Sequence, residues 1–181
     1  MRCLPTMPEG CAVRLLTEAD LRMVLAWRNH PQVRRAMESR HEIGFEEHRD
    51  WFDRAASDAK RRLFIVDDRG GPIGFAQLRG VCEGGIAQWG FYRCPDSPAG
   101  SGRKLGYAVL GHAFGELGLH KVWGQVLLDN HASAALHRRL GFRQEGLMRD
   151  HWRINGAYCT LLHFGLLAAE WNDEQSGGVR A

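Results

Sequence analysis

The chain has 181 residues, a net charge of +3, 44% hydrophobic and 25% charged residues, enough to bury a core without staples and ordinary for a globular protein. The mild positive balance suits an anionic small molecule, whereas Arg34-Arg35, Lys60-Arg61-Arg62 and Arg138-Arg139 lie scattered, which argues against a nucleic-acid partner. Five cysteines without C-x-x-C and nine histidines without H-E-x-x-H point to reduced thiols and no metal centre.

Met1 to Cys11 contains Pro5 and Pro8 and no apolar segment of signal-peptide type, and no apolar run has the length of a membrane span. A cytoplasmic protein without membrane contact is expected. The patterned chain runs from residue 12 to 171 as a single domain, with flexible termini at 1–11 and 172–181.

Val13 to Leu16 reads as a short strand, and Thr17 with Asp20 as an approximate capping box opening a helix through His30. Pro31 stops that helix and starts a second, Gln32 to Met37. Phe45 to Ala56 is a third, with Phe45, His48, Trp51 and Phe52 on one face. The period then changes. Arg62–Asp67 and Pro72–Arg79 are strands joined through Asp68-Arg69-Gly70-Gly71, and Ile86–Arg93 follows after Gly84-Gly85. Lys121–Leu128 is a strand, Asn130–Leu140 a helix closed by Gly141, and Phe142–Ile154 with Ala157–Leu167 a hairpin through Asn155-Gly156. Glu170 to Ala181 reads as a polar, frayed tail. The expected fold is α+β, with a mixed, mostly antiparallel seven-stranded sheet flanked by helices.

The stretch from Trp89 to Phe114 carries the first chemical signal. It begins as a strand, breaks into a Pro/Ser/Gly loop, and resumes as a helix with Leu105, Val109, Leu110, Ala113, Phe114 and Leu117 on one face. Gly100 and Gly102 precede Arg103 and Lys104 at the start of that helix. Glycines let backbone N–H groups turn toward an anion, and a helix N-terminus favours negative charge. The loop reads as a pyrophosphate cradle. It lacks the Gly-Lys-Ser/Thr ending of a P-loop, and Gly100, Gly102 and Gly106 miss the second spacing of a dinucleotide fingerprint.

Asn130-His131-Ala132-Ser133 through Leu140-Gly141-Phe142 follows at a fixed distance. Together with the glycine loop, this pattern resembles the GNAT superfamily of acyl-CoA-dependent N-acetyltransferases. Two positions depart from the superfamily pattern: Ser97 stands where Gln or Arg usually opens the loop, and His137 where many members carry a tyrosine that protonates the leaving thiolate. Imidazolium is a competent acid near neutral pH. His137 is therefore either that acid or a packing residue, with water delivering the proton.

Trp27-Arg28-Asn29-His30-Pro31, Glu46-Glu47-His48, Trp89-Gly90-Phe91-Tyr92 and Glu145-Gly146-Leu147-Met148-Arg149-Asp150-His151 are similar to the acetyltransferases of pseudaminic acid biosynthesis. That resemblance implies acetyl-CoA as cofactor and the 4-amino group of a UDP-linked amino-dideoxy sugar as acceptor. Direct transfer in a ternary complex is simpler than a covalent route through Cys94. Related groups acetylate ribosomal-protein N-termini or spermidine, and a non-catalytic acyl-CoA-binding module is a third reading. Monomer and homodimer both remain open.

The resemblance also implies residue roles. Phe91, Tyr92 and Arg93 run beside the pantetheine arm, with an N–H of Phe91 or Tyr92 aimed at the thioester oxygen. Gly100, Ser101, Gly102, Arg103 and Lys104 hold the pyrophosphate. Asn130 and Ser133 meet the pantetheine amides, unless Asn130 is a plain helix N-cap. Arg28, His48, Gln77 and Trp89 face the acceptor, with Gln88 and Trp152 as further wall candidates. His48 also relays the amine proton. Against these roles, Arg28 as a cap on its own helix, His48 as a packing partner of Trp51 and Phe52, and Trp89 and Trp152 as core aromatics stay open.

Overall fold

The computed structural model describes residues 9–177, with side-chain surroundings through residue 172. Of the termini expected to be flexible, 1–11 and 172–181, residues 1–8 and 178–181 lie outside the described residues. The strands are β1 (Ala12–Leu15), β2 (Arg61–Asp68), β3 (Gly71–Arg79), β4 (Ile86–Arg93), β5 (Lys121–Leu127), β6 (Arg143–Ile154) and β7 (Ala157–Leu167). The helices are α1 (Leu21–Asn29), α2 (Pro31–Arg34), α3 (Phe45–Ser57), α4 (Ser101–Gly115), α5 (His131–Arg139) and α6 (Ala168–Gly177). The seven strands form one open sheet in the order β1-β2-β3-β4-β5-β7-β6. This is the mixed, mostly antiparallel seven-stranded α+β architecture anticipated.

Every strand pairing is antiparallel except β4 with β5. Those two are joined through α4, a crossover that makes them parallel. Their pairing runs only from Ile86↔Lys121 to Gln88↔Trp123. Beyond that rung, β4 keeps its bonds to β3 as far as Gly74↔Arg93, and β5 keeps its bonds to β7 as far as Leu127↔Leu161. The sheet is therefore split from Trp89 and Gly124 onward.

Both faces of the sheet are buried, and the period of two along each strand sorts the side chains. Phe64, Val66, Ala76, Leu78 and Trp89 join the core under α4 and α5. Leu63, Ile65 and Phe75 join the core under α1 and α3, against which Tyr92 also packs. Gly74 lets β3 pass close to α4 and β4: a Cβ there would meet Leu105 and would lie 2.7 Å from the Tyr92 carbonyl oxygen.

Three local expectations are corrected. The helix expected from Thr17 opens as a 3-10 turn over Glu18–Asp20, because the Asp20 carboxylate takes hydrogen bonds from the Thr17 N–H at 2.9 Å and hydroxyl at 2.8 Å. Arg14 grips the same carboxylate with both terminal nitrogens, holding its pKa down at about 2. The second helix ends at Arg34 rather than Met37, since Ala36 and Met37 bond to Val33 and Arg34 as successive tight turns. The C-terminal segment is helical rather than frayed: Trp171, 1% exposed, packs on Tyr107 and Phe114 of α4, and Glu170 accepts the Leu167 N–H.

Candidate active site

A cavity of about 510 Å³ opens where β4 and β5 part. It gathers nine of the residues anticipated from the sequence: Arg28, His48, Gln77, Trp89, Phe91, Tyr92, Asn130, Ser133 and His137. Gln88 and Trp152 line it as well. Arg93, Gly100, Ser101, Gly102, Arg103 and Lys104 lie beyond this lining.

The parity of β4 divides the site. Trp89 and Phe91 belong to the core under α4 and α5, while Tyr92 packs toward α1 and α3. Trp89 touches the cavity but belongs mainly to the core. Trp89 is 4% exposed, and its indole N–H donates to His137 Nε2 at 3.2 Å. Its ring stacks on Phe142 at 5.0 Å and lies 4.5 Å from Phe91.

The acid reading of His137 is corrected. It is 2% exposed, and its Nδ1 lies 2.8 Å from the Ser133 carbonyl oxygen. A carbonyl only accepts and an indole N–H only donates, so the proton sits on Nδ1 and the Nε2 lone pair faces Trp89. Burial holds the pKa down at about 4, against the opposing pull of the Ser133 carbonyl. At neutral pH the ring is neutral and has no proton to give at Nε2. The signal for an acid was a titratable residue at the position where the resemblance places a tyrosine, and the buried environment overrides it.

On the opposite wall, α3 presents His48, Trp51 and Arg54 at a spacing of three. His48 is 4% exposed and stacks on Trp51 at 5.1 Å, while its Nε2 has no hydrogen-bond partner among the described residues. Burial, reinforced by the Arg28 charge, lowers its pKa, so the ring is a neutral base near pH 7. The packing and cleft-facing readings of His48 hold together.

Arg28 leaves α1 in its last turn, yet its Nη2 donates to the Ser39 carbonyl at 2.7 Å rather than capping its own helix. Its Nη1 is buried without a partner, and burial pushes its pKa down. Such a group is costly unless an anion meets it. Asn29 fixes the same lip of the cleft through two bonds to Ile43, at 2.8 and 2.9 Å.

The Gln77 Oε1 accepts from Arg61 Nη2 at 2.9 Å, and Arg79 Nε lies 3.4 Å from it. Trp51, Arg54, Arg79, Glu38 and Glu47 also line the wall and were not anticipated. The period of two from Gln77 to Arg79 and the helical spacing from His48 to Trp51 carried that information. The β5 segment Gly124–Leu127 carried none, since only the split exposes it.

The loop before α4 is rearranged relative to expectation. Gly100 adopts φ 88°, a left-handed turn that a Cβ would strain, and caps α4. The N–H groups of Arg103 and Lys104 bond to the Gly100 carbonyl and that of Ser101 to Pro98, so among the described residues it is the Gly102 N–H that is left without a backbone partner. Lys104 is ion-paired with Asp68 at 2.5 Å, which neutralises much of the charge it was to add. Arg93 reaches back to the Ser97 carbonyl at 3.1 Å, bracing the loop at the atypical position. Asn130 is an N-cap, its Oδ1 accepting the Ser133 N–H at 3.2 Å.

An open strand edge running into a glycine-capped helix N-terminus fits a molecule with an extended amide arm and a pyrophosphate. The model of the Acetyltransferase (GNAT) domain matches residues 12–143. The chain belongs to the GNAT acetyltransferase family. It is an acyltransferase that uses acetyl-CoA.

Similarity to individual proteins extends over most of the chain. The acetyltransferase PseH of Campylobacter jejuni is 27% identical over 127 residues, 70% of this chain and 79% of that protein. Spermidine N(1)-acetyltransferase of Escherichia coli K12 is 27% identical over 158 residues, 84% of each. The crystal structure of spermidine N-acetyltransferase from Vibrio cholerae, in complex with CoA and spermine, superposes with a TM-score of 0.82 at 23% identity, covering 91% of this chain and 99% of that one. The last likeness is one of fold.

Among the described residues, no group of three or more His, Cys, Asp or Glu side chains gathers as a metal site, and no helix is long and apolar enough to cross a membrane.

Proposed function

We propose that the GNAT enzyme transfers the acetyl group to the 4-amino group of a UDP-linked amino-dideoxy sugar, by direct attack in a ternary complex. The observation that carries this reading is the charge of the acceptor wall. Arg28, Arg54 and Arg79 line the cavity, and among the described residues none of them has a carboxylate ion pair. Of the two lining carboxylates, Glu38 and Glu47, the latter is engaged by His41, whose Nε2 lies 2.9 Å away. Unpaired guanidinium groups suit a diphosphate, while a polyamine calls for carboxylates.

Acetyl-CoA supplies an acetyl thioester. The β4 edge, unpaired with β5 beyond Gln88, would offer the N–H of Phe91 or of Tyr92 to the thioester oxygen, and Gly102 with Arg103 would meet the pyrophosphate. His48 Nε2 takes the proton of the acceptor ammonium, being neutral, unpartnered and on the acceptor wall. Water returns a proton to the leaving sulfur, since His137 holds its own proton against Ser133.

The polyamine reading draws on the spermidine acetyltransferases among the similar proteins. Thiol release from acetyl-CoA, measured with the UDP-4-amino sugar, spermidine and an Ala-starting ribosomal peptide in parallel, tests the choice. Turnover on the sugar nucleotide is expected. Turnover on spermidine or the peptide alone overturns the acceptor assignment and leaves acetyl transfer standing.

A further inference from the structure

The split between β4 and β5 is filled at its apex by two side chains. The last rung of the pair is Gln88↔Trp123, and the next residue on each strand is Trp89 and Gly124. A Cβ on Gly124 would lie 2.6 Å from Trp89 Nε1 and 3.2 Å from His137 Nε2. The indole N–H and the imidazole nitrogen thus meet on the sheet face directly over Gly124, the residue that follows the last rung. The imidazole is itself pinned from α5 through Ser133 and stacks on Phe164 of β7 at 5.1 Å.

We propose that Trp89 and His137 act as positioning residues: the indole is a wedge that keeps β4 and β5 apart, and the imidazole is the pin that fixes the wedge. Their joint effect is the width of the gap that admits the pantetheine arm, and with it the placement of the Phe91–Tyr92 edge. Gly124 is the third part of the device, because a side chain there would displace the indole. The proposal concerns acetyl-CoA and stands whichever amine is accepted.

The bond pattern distinguishes the pin from an acid. Glutamine at 137 can accept from the indole through its carbonyl and donate to Ser133 through its amide, yet it has no acidic proton. Phenylalanine keeps the ring and loses both bonds. The measurements are the acetyl-CoA dissociation constant by calorimetry, that of adenosine 3′,5′-bisphosphate as a probe of the nucleotide end alone, and the Trp89 indole N–H resonance in the ligand-free protein.

His137→Phe and Trp89→Phe are each expected to weaken acetyl-CoA binding roughly tenfold, the size of one neutral hydrogen bond. The bisphosphate should bind as it does to wild type. His137→Gln should keep acetyl-CoA affinity within about twofold and retain the shifted, slowly exchanging indole resonance that His137→Phe loses. The double variant Trp89→Phe/His137→Phe should be no weaker than either single one, as for two parts of one device. Wild-type affinity in both single variants overturns the proposal. Equal loss of acetyl-CoA and bisphosphate binding also overturns it, since that reports general disorder. Acetyl transfer as weak in His137→Gln as in His137→Phe, with full acetyl-CoA affinity in both, returns the acid role to His137 and overturns it too.

Discussion

Trp89 Nε1 lies 3.2 Å from His137 Nε2, and that contact decides the protonation of a residue whose sequence position suggests an acid. Because the indole can only donate, the imidazole must accept, and its remaining nitrogen gives its proton to Ser133. The ring is neutral in the folded protein, with a pKa of about 4, and near 6.5 when the chain unfolds. The unfolded state therefore binds more protons between those values, and stability falls as the pH drops through that window.

From pH 7 to pH 5, His137 is expected to remove about 2 kcal/mol of folding stability, by linkage between its folded and unfolded pKa values. Urea unfolding at both pH values should show this loss in wild type. His137→Gln should show a loss smaller by about that amount, since glutamine does not titrate. Equal losses in the two proteins would place the proton elsewhere.

His48 is the group whose removal should stop chemistry while leaving binding intact. His48→Gln is expected to lower kcat by about 100-fold or more, the range of general base catalysis, with unchanged affinity for acetyl-CoA. Burial and Arg28 lower the His48 pKa, so the neutral base persists below the ordinary histidine value, and wild-type kcat should fall only as the pH drops below about 6.5. A pH profile of kcat for the two proteins checks both points, because the acid limb belongs to His48 and should vanish in the variant.

Arg28 and Arg79 should govern the acceptor alone. Arg28→Ala and Arg79→Ala are each expected to raise KM for the sugar nucleotide about tenfold, as for lost charge-assisted hydrogen bonds, with KM for acetyl-CoA unaltered. Raising the salt concentration should shrink the effect at Arg79, which is exposed, more than at half-buried Arg28. Steady-state kinetics at two ionic strengths would show it.

At the pyrophosphate end, the two adjacent basic residues should behave differently. Lys104 spends its charge on Asp68, whereas Arg103 has no ion pair among the described residues. Arg103→Ala is expected to raise KM for acetyl-CoA several-fold, and Lys104→Ala by less than about twofold, the scale of an exposed and already neutralised charge. Asp68→Asn should lower KM by releasing Lys104.

Gly74→Ala should destabilise the fold by about 1–3 kcal/mol, as overpacking does. The added Cβ would lie 2.7 Å from the Tyr92 carbonyl oxygen and 2.9 Å from Arg93 Cα, backbone atoms that cannot move without shifting β4. Thermal unfolding measures the loss, and acetyl-CoA affinity should fall with it, since the shifted strand carries the Phe91–Tyr92 edge.

The sequence by itself determined the local elements and the chemistry available to them. Apolar runs on either side of Asp68-Arg69-Gly70-Gly71 marked a hairpin, the apolar stripe from Leu105 to Leu117 marked α4, and Asn130 with Leu140-Gly141-Phe142 marked α5 and its stops. Those signals are short-range, because side-chain period, caps and turns act within a few residues. The family resemblance, not those local signals, brought His48, Arg28, Gln77 and Tyr92 forward as site residues, and the cavity gathers all four.

Only the tertiary structure decided what those groups are free to do. The insertion of β7 between β5 and β6, the split after Gln88↔Trp123, the burial of Trp171 against α4 and the capture of Lys104 by Asp68 all join residues far apart in the chain. His137 shows the reason most plainly. Residue type gave a titratable ring, but its protonation follows from desolvation and from an indole 48 positions away in the chain. Desolvation and partner geometry are properties of packing, and no local period encodes them.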